Sequence, residues 1–199
     1  MAVSRTPRLE SFVGRTSISS TRSLKFEIWG ASTLPEDHHV QLRIRAYDLA
    51  ALKEFELPDG IQSQEFVILK GNQSTELVTF SIPNPSSRQD FQLIVAATIH
   101  DSQGKEIGRD VSWPEPFRYL NFPGNTKVEV VVAEDGESVA LTSNYPVKGL
   151  VAYIAKEDGG DADWMDNMID LMHGEVVTLR VRGLEGRAVR TRWLGSWEL

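Results

Sequence analysis

Between Val40 and Leu49 the sequence VQLRIRAYDL sets Leu42, Ile44 and Ala46 at alternate positions, with Arg43 and Arg45 between them. Successive side chains of an extended chain point to opposite faces, so this spacing dries one face and wets the other. A helix, with its period of 3.6, cannot do the same. Runs of β-branched and aromatic residues bounded by turn signals recur through the chain. They predict strands at 24–30, 64–70, 75–82, 91–100 and 105–113, then at 127–134, 137–143, 147–155, 175–183 and 187–195. The run 48–57, DLAALKEFEL, reads as a strand end followed by a loop.

Short strands joined by tight turns, without intervening helices, predict an all-β chain of antiparallel β-sandwiches. With 199 residues, 41% of them apolar, there is material for two modest cores, and a single sandwich of that length would be unusual. Pro114, Pro116, Pro123 and Gly124 interrupt the strand series and mark the boundary. The expected division is therefore 1–23 as a disordered or linker lead-in, 24–122 as the first sandwich and 123–199 as the second.

Charge and cysteine usage narrow the function. A net charge of −7 with no cysteine argues against nucleic-acid binding, and it excludes disulfides, thiolate metal sites and cysteine nucleophiles. No apolar run approaches the ~18 residues of a membrane span. The first 23 residues carry Arg5, Arg8, Arg15 and Arg22 against Glu10 alone, and are rich in serine. That composition superficially matches an organelle transit peptide, but a polar lead-in to a cytoplasmic chain fits it better.

The stretch Asp163–Val181 is open to three readings. Met165, Met168, Ile169 and Met172 share one face of a helix; Asp161, Asp163, Asp166 and Asp170 could offer oxygens to a metal; or a polar corner leads into a strand in which Val177, Leu179 and Val181 alternate with polar residues. The calcium-loop order fails, because, counting from Asp161, Met165, Asp166 and Met172 stand where the position-5 ligand, the glycine and the closing glutamate belong. No metal and no cofactor is expected. The plainer expectation is a solvated acidic loop facing Arg180, Arg182, Arg187, Arg190 and Arg192. His38, His39, His100 and His173 are scattered, and neither a phosphate loop nor a nucleophile elbow occurs. Of the five tryptophans, Trp29 and Trp193 lie within strand runs and are expected in cores. Trp113 and Trp164 are the candidates for a surface contact, with a partner or with the apolar face of a sugar.

Four segments, taken in order, resemble the C-terminal region of fungal β-mannosidases of glycoside hydrolase family 2: VSWPEPFRYLNF, VALTSNYPVKGLVAYI, WMDNMIDLMHGEVVTLRVRGL and VRTRWLG. The resemblance runs from Val111 to Gly195 and more weakly from Leu24 to His100. It implies immunoglobulin-like sandwiches that follow a (β/α)₈ barrel, and it selects the corner among the three readings above. Asn167 would hold a turn, Ile169 and Leu171 would dock inward, and Gly174 would lead into the strand at Glu175. His173 stands where the family usually has proline, a loss worth about 0.4–1 kcal/mol of turn stability.

In that family both catalytic groups are barrel glutamates, the acid/base following an asparagine; retaining glycosidases place the pair ~5–5.5 Å apart. No Asn-Glu dipeptide occurs in these 199 residues, and a barrel needs ~250. No catalytic residue is therefore assigned. The resemblance implies an accessory region without its barrel, inactive alone, whose partner is the β-mannosidase barrel and, in an alternative reading, a carbohydrate-binding module for mannose-containing oligosaccharides. Trp113, Pro114, Glu115 and Pro116 are the candidate docking segment, because prolines beside an aromatic present a preformed surface; Trp164 is a second candidate contact.

Overall fold

The computed structural model describes residues 9–17, 23–83, 92–114 and 117–196. The chain divides into two compact units, Met1–Leu120 and Asn121–Leu199. Among the described residues every regular element is a strand or a single turn of 3₁₀ helix.

In the first unit the strands are β1 (Leu9–Ser17), β2 (Ser23–Ser32), β3 (His38–Asp48), β4 (Lys53–Phe55), β5 (Ser63–Leu69), β6 (Ser74–Pro83), β7 (Leu93–His100) and β8 (Glu106–Ser112). One sheet runs β1-β2-β6; the other runs β4-β3-β7-β8, with β5 also paired to β3. All of these pairings are antiparallel. Alternation decides what each strand buries: Leu24, Phe26 and Ile28 of β2 meet Val40, Leu42, Ile44 and Ala46 of β3 and Leu93, Val95, Ala97 and Ile99 of β7 in one core. Each of the larger side chains removed from water contributes about 1.5–3 kcal/mol. Phe26 and Phe80 stack across β2 and β6 with ring centroids 5.4 Å apart.

In the second unit the strands are β9 (Val128–Val132), β10 (Ser138–Ser143), β11 (Val147–Ile154), β12 (Asp163–Trp164), β13 (Ile169–Leu171), β14 (Val176–Arg182) and β15 (Val189–Arg192). They form sheets ordered β12-β14-β10-β9 and β13-β11-β15. Val139, Leu141, Leu150, Ala152, Leu171, Leu179 and Val181 make its core. Both units are thus antiparallel sandwiches of the immunoglobulin-like kind that the resemblance implied.

Two expectations change. The lead-in 1–23 contains β1, which pairs with β2 over its whole length from Leu9↔Ser32 to Ser17↔Leu24; its serines and arginines hid a strand because Phe12 and Val13 are adjacent and break the alternation. Trp29 belongs to the outward face of β2 and is half-buried, since Phe26 and Ile28 take the inward positions. The corner selected for this stretch is present between β12 and β13.

Candidate functional site

Trp113 directly follows β8 and is only 4% exposed. Its position follows from register: Tyr47 lies opposite Ile94, and extending Val95↔Ser112 by one residue sets Trp113 opposite Ile94 on the other side. Tyr47, Ile94 and Trp113 are all buried, so they form a row on the face of β7 turned away from the main core. β7 is consequently apolar on both faces, which is why LIVAATIH reads as a continuous hydrophobic run. Trp113 is buried and so is not an open stacking face. Pro114 is buried beside it, while Glu115 and Pro116 lie outside the described residues. The chain then makes a 3₁₀ turn, Phe117–Tyr119, anchored where Gln92 Nε2 donates to the Tyr119 carbonyl at 3.0 Å. Tyr119 is 61% exposed, with the Arg118 guanidinium 4.7 Å from its ring centroid.

Trp164, in β12, is half-buried against the core of the second unit. Its indole N–H donates to Asp161 Oδ1 at 3.2 Å, the oxygen that also accepts the amides of Ile154 and Ala162 at 2.9 Å each. Burial pushes the Asp161 carboxyl upward, but those three donors and the Arg187 charge outweigh it and leave it below its ordinary value.

The rest of the acidic stretch is organised by the backbone of β11. Asn167 Oδ1 accepts the Ala152 amide at 2.9 Å while its Nδ2 donates to the Ala152 carbonyl at 2.8 Å. Asp170 Oδ1 accepts the Gly149 amide at 2.7 Å, and its other oxygen faces Lys148 Nζ at 3.4 Å. Gly149 has φ +62 and sits at a bulge in the β11–β13 register, a conformation that favours glycine. Asp161, Asn167 and Asp170 thus reach Ile154, Ala152 and Gly149 and prolong with side chains the ladder that the three-residue β13 begins. Glu175 Oε2 accepts the Met172 amide at 2.9 Å across the Gly174 turn, and Glu157 meets Arg190 at 2.9 Å. Among the described residues no three His, Asp or Glu side chains are grouped to hold a metal.

The expected acid–base facing is only partly of that kind. Arg190 pairs with Glu157 and Asp158, but Arg187 donates to the carbonyls of Gly160, Gly183 and Leu184 and so ties two turns together. Arg192 lies over the Tyr153 ring at 5.4 Å. Sequence reasoning placed Asn167 in a local turn, and its Oδ1 does accept the Met168 amide at 3.0 Å; its second partner, Ala152, lies fifteen positions back. No sequence signal gives that distance, because side-chain bonds to a strand have no periodicity.

Comparison with known proteins places this architecture. Residues 24–119 match the family model described as Mannosidase Ig/CBM-like domain. The chain is 27% identical over 198 residues to β-mannosidase B of Thermothelomyces thermophilus, covering 98% of this chain and 22% of that protein. It is 29% identical to β-mannosidase B of Aspergillus niger over 88% of this chain and 20% of that protein. Among solved structures, a β-D-mannosidase from Dictyoglomus thermophilum superposes with a TM-score of 0.64 at 15% identity, over 92% of this chain and 21% of that one. The exo-chitosanase of Amycolatopsis orientalis gives 0.52 at 16% identity, over 91% and 25%; at these identities the likeness concerns the fold. The chain spans about a fifth of the length of the curated relatives it matches.

Proposed function

We propose that this chain, homologous to the immunoglobulin-like region of fungal β-mannosidases, is a non-catalytic accessory region that supports a glycoside hydrolase barrel and has no hydrolytic activity alone. The observation that carries the reading is the pairing of 98% coverage of this chain with 22% coverage of its relative. The strands described here correspond to a small, non-barrel share of a much larger enzyme. Among the described residues both sandwich interiors are filled with apolar side chains, which supports a packing role for these strands. The partner implied is a barrel that removes terminal β-mannose from oligosaccharides.

Docking would use the segment after β8. Buried Trp113 and Pro114 serve as its root, fixing where the chain leaves the first unit. Phe117 and Tyr119, 37% and 61% exposed, are the aromatic edges left for a partner. Aromatic residues carry a disproportionate share of interface energy, which suits this role. The second reading, direct sugar binding, would draw on the same exposed aromatics.

Two measurements on the intact chain test the proposal. A chromogenic β-mannoside should be left unhydrolysed, and any turnover that scales with chain concentration would sink the accessory reading. Tryptophan fluorescence titrated with mannose oligosaccharides should show no saturable change; saturation would favour the sugar-binding reading.

A further inference from the structure

β9 ends its sheet, and its hydrogen-bonding pattern can be worked out residue by residue. The Ala133 amide donates to the Ser138 carbonyl at 2.9 Å, and the Asn144 amide donates to the Lys127 carbonyl at 3.3 Å. Antiparallel pairs alternate between bonded and non-bonded. Lys127, Glu129, Val131 and Ala133 therefore direct their backbone groups toward β10, in the register that sets Val131 opposite Ala140 and Glu129 opposite Thr142. Val128, Val130 and Val132 direct theirs away from the sheet, where no described strand pairs with them.

This edge carries little of the protection that edges usually have. It contains no proline and no lysine between Val128 and Val132, four of its five residues are valine, and Glu129 is its only charge. Val131 and Val132 are 62% and 41% exposed.

We propose that β9 is an association edge whose partner is β9 of a second copy of this chain, paired antiparallel about a two-fold axis through Val130. The strand is self-complementary in that register. Val130 faces Val130, and Val128 faces Val132 of the second copy, so every outward-directed backbone group finds a partner. On the solvent face Glu129 lies opposite Val131 of the second copy, and Lys127 lies opposite Ala133. No like charges meet. Sliding the register by two positions the other way sets Glu129 against Glu129, which cross-strand repulsion disfavours. The interface joins two four-stranded sheets into one continuous sheet and covers both copies of Val131.

Sedimentation and light scattering of the intact chain should show a monomer–dimer equilibrium that shifts with concentration. Val132→Pro removes an outward amide that the fold itself does not use, a position where an edge strand tolerates proline; it should abolish the dimer while leaving the melting transition in place. Charge gives an independent readout that keeps the fold: Val131→Glu, facing Glu129, should weaken the dimer several-fold, whereas Val131→Lys should retain or tighten it. Because the chain has no cysteine, Val130→Cys offers a unique thiol whose Cα lies about 5.5 Å from its mate in a bonded pair, within disulfide reach. Val130→Cys should cross-link readily on mild oxidation and Glu129→Cys should not. A chain that stays monomeric at every concentration, a dimer that Val132→Pro or Val131→Glu leaves intact, or equal cross-linking by the two cysteine variants would overturn the proposal.

Discussion

Asn167 treats Ala152 as a neighbouring strand would, accepting its amide at 2.9 Å and donating to its carbonyl at 2.8 Å. Asp at this position keeps the acceptor but loses the donor and turns an anion toward a carbonyl oxygen. Asn167→Asp should cost the second unit about 1–3 kcal/mol. Hydrogen exchange of the Ala152 amide reads this directly: protection should fall there before it falls in β7 of the first unit. Unchanged protection would remove the clasp from the account.

Trp113 and Tyr119 are six residues apart and should behave oppositely. Trp113→Ala empties a buried site in the row with Tyr47 and Ile94 and should destabilise the first unit by about 3–5 kcal/mol. Tyr119→Ala, at an exposed ring, should stay within about 0.5 kcal/mol. Denaturant unfolding of the two variants decides whether Trp113 is a packing residue or a surface one.

The strand series was legible in the sequence because alternation and turn residues are local. All eleven predicted strands are present, and 48–57 resolves as the end of β3, a turn in which Asp48 Oδ1 accepts the amides of Ala50 and Ala51, and β4. The strands that escaped are β1, β4, β12 and β13. The last two span two and three residues, too few to show a period, and they exist because β14 and β11 offer edges to pair with. The candidate site was less legible: Trp113 beside two prolines reads as exposed, and only the pairing of β7 with both β3 and β8 reveals that the face it covers is apolar.

Gly71 is held by closeness rather than by conformation. A Cβ there would stand 2.3 Å from the Pro35 carbonyl oxygen, in the place where Asp37 accepts the Gly71 amide and pairs with Lys70. Gly71→Ala should force the 33–37 and 70–73 turns apart and lower the first unit's melting temperature. Gly124→Ala, with open space around the added methyl, should be neutral or stabilising by up to ~1 kcal/mol. Equal effects of the two would refute the steric explanation.

His100 makes the first unit sensitive to acid. It is 9% exposed, its Nδ1 finds no hydrogen-bond partner among the described residues, and its Cα partners are Gln41 and Glu106. Burial lowers its pKa below the ordinary 6.5; the Arg43 charge adds to that and Asp101 opposes it. A folded value below the unfolded one means the native state binds fewer protons. The stability is complete above about pH 6.5 and is lost as pH falls through the folded value. Denaturant midpoints at pH 7.5 and 5 should differ in the native chain and differ less in His100→Gln; parallel curves would exclude the imidazole as the cause.

His173 occupies the turn Met172–Glu175, closed by the Glu175 amide donating to the Met172 carbonyl at 3.2 Å, with Gly174 at φ +65. A positive φ at the third position makes this a turn whose second position accepts proline. The imidazole offsets the missing ring by donating from Nδ1 to the Asn144 carbonyl at 2.8 Å, a bond exposed to water. His173→Pro should raise stability by a few tenths to about 1 kcal/mol. A loss larger than that would make the imidazole bond the stronger of the two devices.

The sheet that begins at β12 is closed to growth on that flank. β12 has two residues, and an incoming polypeptide would gain almost nothing by lying along so short a border. A pair formed through β9 would therefore meet no equal strand at β12, and that two-residue border would not carry the sheet on into a ribbon.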